Sequence, residues 1–167
     1  CIRDRLGTTS HHGNAPEGEP REFGVFHMEV RHMHVSLIAG ALGAEIHGID
    51  LRTATEDDWQ SIRAAFLDHH VLFFPDQRLD APILETICRH FGELGQYPYI
   101  ESVPGTTYVI PIVKEAHERK NFGEGWHSDT TYTDEPPMAT VLYAVDVPPR
   151  GGDTLFANMH LAYESLS

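Results

Sequence analysis

The clearest chemistry in the sequence lies in the segment Trp-His-Ser-Asp at residues 126–129. Alternate residues of an extended strand point to the same face, so His127 and Asp129 are expected to project side by side. An imidazole and a carboxylate on one face supply two legs of a 2-His-1-carboxylate triad, which leaves coordination positions open on non-haem Fe(II). A single His-x-Asp match also arises by chance, so a surface ion pair or a capping aspartate is the alternative for this segment taken alone.

Further motifs precede and follow this pair in a definite order. Glu-Pro-Pro and Gly-Gly-Asp-Thr follow it, and Phe-Phe-Pro-Asp-Gln and Phe-Gly-Glu-Leu come before it, at residues 135–137, 151–154, 73–77 and 91–94. Together with Gly-Ala-Glu-Ile-His-Gly-Ile-Asp-Leu at 43–51, they make residues 33–167 resemble one family. It is the taurine dioxygenase and 2,4-dichlorophenoxyacetate dioxygenase family of Fe(II)/2-oxoglutarate-dependent oxygenases. Several ordered motifs are far more specific than any one of them.

The resemblance implies roles for three side chains of this sequence. It also implies two further side chains that are expected beyond its end. His127 and Asp129 take the positions of iron ligands, and Thr154 takes the position that hydrogen-bonds the distal carboxylate of 2-oxoglutarate. The family's third ligand, a distal His, and its 2-oxoglutarate-binding Arg are expected beyond Ser167. His160 is a weak substitute for that ligand, because its segment matches a family helix and not the strand of the distal His.

The resemblance defines the substrate-binding residues less closely. Tyr97 falls where taurine dioxygenase has a His that helps hold the sulfonate, and Gly123 falls where it has an Asn. Both departures argue against taurine itself, because a buried anion without its donors is costly. Tyr97 and Thr130 are predicted to bind a different small anionic substrate, since a hydroxyl can donate to a sulfonate or a carboxylate. A core aromatic is the alternative for Tyr97.

By resemblance, the full enzyme uses Fe(II), 2-oxoglutarate and O2 to hydroxylate a small organic substrate, with release of succinate and CO2. This chain of 167 residues is expected to have little activity alone, because two of the required side chains would lie beyond it. A non-catalytic jelly-roll relic and a Zn hydrolase that uses the same His and Asp are the alternatives. The Gly-Gly-Asp-Thr motif argues against the hydrolase.

The elements that must position these residues are predicted from hydrophobic periodicity and capping signals. Thr55 and Asp80 are expected to cap two helices, and Gly92 to end the second. The resemblance implies a fold that is mainly β with flanking helices, a double-stranded β-helix or jelly roll that is incomplete in this chain. The predicted strands are 35–38, 44–49, 71–74, 108–110, 139–145 and 154–157, and the predicted helices are 56–69, 80–91 and 161–166.

The chain divides into two parts by composition. Residues 1–32 are rich in Gly, Pro, His and charged side chains, and are predicted to be a disordered tail or a non-native upstream segment. Residues 33–167 are expected to form the N-terminal part of a dioxygenase jelly-roll domain. Within it, the charged and almost apolar-free loop 114–125 is a candidate lid.

Composition excludes several classes of partner. A net charge of −13, from 12 Lys and Arg against 25 Asp and Glu, argues against a nucleic-acid binder. The longest run of aliphatic and aromatic residues, at 71–74, is far short of a membrane span. Two cysteines make no disulfide framework, and no secretory leader is evident, so a cytoplasmic location is expected. The sequence leaves open a homo-oligomer.

Overall fold

A computed structural model describes residues 33–97, 99–115, 117–119 and 123–166. The tail predicted at 1–32, and residues 116 and 120–122 of the loop predicted as a lid, lie outside the described residues. The described elements are β1 (His34–Leu37), β2 (Ala44–His47), α1 (Glu56–His69), β3 (Leu72–Phe73), α2 (Ala81–Cys88) with a following 3-10 turn (Arg89–Phe91), and α3 (Met159–Glu164).

The three strands form one mixed sheet in the order β1-β2-β3. β1 and β2 pair antiparallel across a short turn that Gly43 closes with φ of 95°, a conformation that favours glycine. β3 then joins β2 in parallel, and α1 makes the crossover between them. The predicted strands 35–38, 44–49 and 71–74 are therefore confirmed; the first is shifted by one residue to 34–37, and the other two are shorter than predicted.

Local capping chemistry sets the ends of the first two helices. The Thr55 hydroxyl accepts from Asp58 N–H, while the Asp58 carboxylate accepts from Thr55 N–H at 2.8 Å. The bonds that the Asp58 carboxylate accepts from the Thr55 N–H and the Thr55 hydroxyl lower its pKa. Asp80 caps α2 by accepting from Ile83 N–H at 2.8 Å, and the 3-10 turn ends at Gly92, whose φ is 143°. Both predicted helices are confirmed.

The apolar face of α1 packs on the sheet and forms the core. Trp59, Ile62 and Ala65 recur on that face and are buried. The Trp59 ring also stacks on His90 at 4.0 Å between centroids, which joins α1 to the turn after α2. The buried apolar residues are Ala44, Ile46, Leu51, Trp59, Ile62, Ala65, Leu72, Phe74, Leu84 and Ile87.

The later predicted strands are not formed in the described chain, which corrects the expectation of a mainly β fold for these residues. Segments 108–110, 139–145 and 154–157 run without regular strand structure, apart from a single bridge at Tyr143. Their composition favours strands, but an extended segment is stable only when its backbone groups pair with a neighbour. Within the described part of the chain, these segments make only isolated backbone pairings, such as that bridge and the bond from Val103 N–H to the Val109 carbonyl at 2.8 Å, so the jelly roll stays a prediction.

Tyr143 and Phe156 are among the later residues that contact the sheet and the loops next to it. The Tyr143 hydroxyl accepts from Leu79 N–H at 3.3 Å and lies 3.4 Å from the carbonyl oxygen of Gln77. The Phe156 ring meets Phe73 edge to face at 6.4 Å. The predicted terminal helix is confirmed as the short α3, which starts two residues earlier than expected and is exposed. None of the described helices is both long and apolar enough to span a membrane.

Candidate metal centre

The side chains of His127 and Asp129 lie together, with His127 Nε2 3.2 Å from Asp129 Oδ1. The prediction that they project side by side is therefore met. The reason differs from the one expected, because residues 126–129 belong to an irregular loop and not to a strand. The two side chains are 55% and 51% exposed, so a ligand can reach both.

The hydrogen bonding of His127 determines what can occupy the gap between the two side chains. Its Nδ1 lies 2.9 Å from the carbonyl oxygen of Gly125, which can only accept, so Nδ1 carries the hydrogen. In a neutral ring, Nε2 then presents a lone pair to the carboxylate of Asp129. Two acceptors at 3.2 Å repel each other unless a cation lies between them. A proton or a metal ion satisfies that requirement.

The spacing also fits a metal ion. At metal–ligand distances of about 2.2 Å, two adjacent ligand atoms of an octahedral ion lie about 3.1 Å apart. The observed distance of 3.2 Å between His127 Nε2 and Asp129 Oδ1 matches that separation. A histidine that donates its other ring hydrogen to a backbone carbonyl is also the usual arrangement for a metal ligand. His127 and Asp129 could hold two adjacent positions of one ion.

No third ligand is provided by the described residues, among which no group of three His, Cys, Asp or Glu could hold a metal. His160 stands on α3 with its ring 6.3 Å from that of His70, stacked at an interplanar angle of 25°. Two other histidines have structural partners. His47 Nε2 lies 3.1 Å from Glu45 Oε2, and the His90 ring stacks on Trp59 of α1.

Thr154 is exposed and lies in an irregular segment after the glycine pair of residues 151–152. Gly151 and Gly152 have φ of 77° and 72°, so the chain turns there in a conformation that favours glycine. Among the described residues, the structure records no hydrogen bond between Thr154 and either His127 or Asp129. Its role towards 2-oxoglutarate therefore stays a prediction.

Tyr97 borders a cavity of about 390 Å³, and the described lining of this cavity includes neither His127 nor Asp129. Its ring meets Tyr99 edge to face at 5.4 Å. Thr130, the second predicted substrate residue, directly follows Asp129 and has a positive φ of 45°. The substrate roles of both residues remain predictions. The cavity is lined by Gln96, Tyr97, Tyr99, Ile100, Glu101, Ser102 and Thr107.

The loop beside this cavity is held by α2. The Glu85 carboxylate accepts from Thr107 N–H at 2.9 Å and from Tyr108 N–H at 3.2 Å, and these bonds lower its pKa. Arg89 pairs with the same carboxylate at 3.0 Å and lies over the Tyr108 ring. On the same helix, burial raises the pKa of the Cys88 thiol to about 11, which agrees with the inert core residue that its position on the apolar stripe indicates.

Comparison with known proteins decides the family. The profile of the taurine catabolism dioxygenase TauD, TfdA family matches residues 34–167. The chain belongs to this family. The match confirms the resemblance inferred from the ordered motifs, and it covers every residue proposed above for the metal pair, the co-substrate and the substrate.

Curated relatives of this TauD/TfdA chain include two bacterial enzymes. An alpha-ketoglutarate-dependent sulfate ester dioxygenase of Pseudomonas putida is 36% identical over 80% of this chain and 44% of its own length. An alkylsulfatase of Acinetobacter baylyi is 34% identical over 77% and 40%. The chain thus spans less than half the length of these relatives. A solved taurine dioxygenase from Burkholderia xenovorans is 34% identical, with a TM-score of 0.40 over 44% of this chain and 27% of its own.

Two glycines next to His127 were not predicted as functional residues. From the sequence, Gly123 is only a departure from taurine dioxygenase, and Gly125 is only part of a loop. In the structure, the Gly125 carbonyl orients the His127 ring, and Gly123 lies against the same ring. The spacing Gly-x-Gly immediately before Trp-His was the available signal, but glycines are common in loops of any kind.

Proposed function

We propose that this chain contributes two ligands of the metal centre in an Fe(II)- and 2-oxoglutarate-dependent dioxygenase. The observation that carries the proposal is the placement of His127 Nε2 and Asp129 Oδ1 3.2 Å apart, while Nδ1 is engaged by a backbone carbonyl. That spacing suits two adjacent ligands of one metal ion, and the family profile covers both residues. The third ligand, a His, is proposed to follow Ser167.

When bound, iron together with 2-oxoglutarate supplies the activation of O2 for hydroxylation, with succinate and CO2 as co-products. The residues of this chain contribute geometry. His127 and Asp129 occupy one side of the ion, and Thr154 is proposed to donate its hydroxyl hydrogen to the distal carboxylate of 2-oxoglutarate. An Arg beyond Ser167 is proposed as the main partner of that carboxylate. We further propose that the later segments complete a jelly roll with that downstream sequence.

The proposed substrate is a small organic anion of the sulfate ester or sulfonate class. Relatives carry the names sulfate ester dioxygenase, alkylsulfatase and sulfonate dioxygenase, and others the name phenoxypropionate dioxygenase. The compounds in these names, which are sulfate esters, sulfonates and phenoxypropionate, are organic molecules with an anionic group. Because the chain is strongly acidic, an anion must be held by local donors, for which the Tyr97 and Thr130 hydroxyls are proposed.

The test is anaerobic titration of the full-length protein with Fe(II) and 2-oxoglutarate. We expect a metal-to-ligand charge-transfer band in the visible spectrum, which requires both groups on one ion. Asp129→Ala and His127→Ala each remove a ligand and should abolish the band, while His47→Ala, at a histidine that pairs with Glu45 instead, should leave it intact. Absence of the band in the full-length protein would refute the oxygenase.

A parallel titration with Zn(II) separates the two alternative functions, a Zn hydrolase and a non-catalytic relic. A Zn hydrolase would bind Zn(II) without any visible band, because Zn(II) is d10. A non-catalytic relic would bind neither ion tightly. Reading the coding sequence past Ser167 gives an independent check: a His followed by an Arg on β-patterned segments supports the oxygenase, and a stop codon directly after Ser167 supports the relic.

A further inference from the structure

We propose that Gly123 and Gly125 form a glycine bracket that positions the His127 imidazole for metal binding. The bracket is defined as these two glycines of the preceding loop: the carbonyl of Gly125 meets the ring, and a Cβ on Gly123 would reach it. This inference rests on the proposed function of His127 as a ligand. Gly123 and Gly125 are positioning residues: neither binds the metal, and both act through His127.

Gly125 fixes the rotation of the ring. Its carbonyl oxygen lies 2.9 Å from His127 Nδ1, and this hydrogen bond directs the opposite nitrogen, Nε2, at Asp129. The carbonyl can take that direction because Gly125 has φ of 94°, a region that side-chain-bearing residues rarely adopt. A substitution at Gly125 would therefore rotate the peptide that accepts the hydrogen bond, although a methyl group there would meet no neighbouring atom.

Gly123 limits the position of the ring from its other edge. A methyl group built on Gly123 would lie 3.2 Å from Cε1 and 3.7 Å from Nε2 of His127. The first distance is shorter than ordinary carbon contacts, which lie near 3.5–4.0 Å. A methyl group there would therefore displace the ring by a few tenths of an ångström. Gly123 also has a positive φ of 70°, so space and conformation both favour glycine here.

A positive φ alone does not make a glycine part of the bracket. Gly105 has φ of 85°, yet a methyl group built on it would have no heavy atom within 4 Å. It carries the same conformational demand without any contact to His127. Gly105 therefore provides a matched control, because Gly105→Ala introduces comparable backbone strain at a position far in sequence from His127 and Asp129.

The experiment uses NMR on the metal-free full-length protein and then a titration with Co(II). In the metal-free wild type, we expect a nuclear Overhauser effect between His127 Hε1 and a Gly123 Hα, because the ring edge lies against that carbon. Paramagnetic broadening of the His127 signals then reports Co(II) affinity. Gly123→Ala and Gly125→Ala should each weaken Co(II) binding about tenfold or more, as is usual for groups that orient a ligand, whereas Gly105→Ala should not.

The two readouts separate the bracket from the proposed function. Absence of the nuclear Overhauser effect in a folded wild type would overturn the bracket, as would Co(II) affinities of Gly123→Ala and Gly125→Ala equal to that of Gly105→Ala. If the nuclear Overhauser effect is present but the full-length wild type binds no Co(II), the ring position is supported and the metal function is refuted. Amide spectra of each variant check that it folds, and Gly125→Ala keeps the test open if Gly123→Ala does not fold.

Discussion

At the scale of single residues, the buried amide of Gln77 joins two backbone segments next to the sheet. Its Oε1 accepts from Leu51 N–H at 2.9 Å, and its Nε2 donates to the carbonyl oxygens of Ile49 and Pro75 at 2.9 and 3.0 Å. The side chain is 4% exposed, so water cannot replace these bonds. The Phe-Phe-Pro-Asp-Gln motif therefore ends in a residue that holds the loop after β2 against the loop after β3.

We expect Gln77→Leu to lower the free energy of unfolding by about 3 kcal/mol, because it leaves buried backbone groups without partners. Gln60→Leu, on the exposed face of α1, is the matched control and should change it by less than about 0.5 kcal/mol. Urea denaturation followed by circular dichroism measures both. Equal stabilities of the two variants would contradict the role given to the amide.

At the scale of elements, Asn158 connects α3 to the turn between β1 and β2 with one side chain. Its Oδ1 accepts from His160 N–H and Leu161 N–H at 3.0 and 3.1 Å, which caps the helix. Its Nδ2 donates to the Ala41 carbonyl at 2.8 Å. The cap and the connection therefore depend on different atoms and can be separated by substitution.

Asn158→Asp should keep the cap and lose the connection, because a carboxylate accepts from the helix but cannot donate to Ala41. Asn158→Ala should lose both, at a cost of about 1 kcal/mol for the cap. Hydrogen exchange of peptides covering the turn and α3 distinguishes them. We expect faster exchange of the turn in both variants and faster exchange of α3 in Asn158→Ala alone; identical exchange of α3 in the two would exclude a separate cap.

At the scale of the whole molecule, large apolar side chains are exposed along the later part of the described chain. Val145 and Leu155 are 82% and 72% exposed, in segments whose composition favours strands. Exposed apolar side chains promote association when they come together on a surface. The exposed large apolar residues after position 125 are Trp126, Tyr132, Met138, Val145, Val147, Leu155, Phe156, Met159, Leu161, Tyr163 and Leu166.

We expect the 167-residue chain to self-associate as its concentration rises, since these side chains are removed from water by contact between copies. The double variant Val145→Glu/Leu155→Glu should shift the population towards monomer in analytical ultracentrifugation. Thr133→Glu/Thr140→Glu adds the same charge at exposed polar positions and should have a smaller effect. A wild type that is monomeric at all concentrations would contradict this prediction.

The sequence by itself determined the elements whose stabilising contacts are local. The capping box of Thr55 and Asp58, the apolar face of α1 and the end of α2 at Gly92 depend on neighbours within a few residues. The pairing of His127 with Asp129 is also local, because a separation of two residues brings their side chains together even in a loop. The ordered motifs likewise indicated the family.

Only the tertiary structure decided which distant groups meet. The contact of Gln77 with Leu51, and that of Tyr143 with Leu79, span 26 and 64 residues, so no local pattern contains them. The same reason explains why segments 139–145 and 154–157 are not strands here, since strand pairing depends on a partner that local composition cannot supply. The position of Gly123 against His127 belongs to the same class, because a glycine has no side chain whose type could reveal its contact.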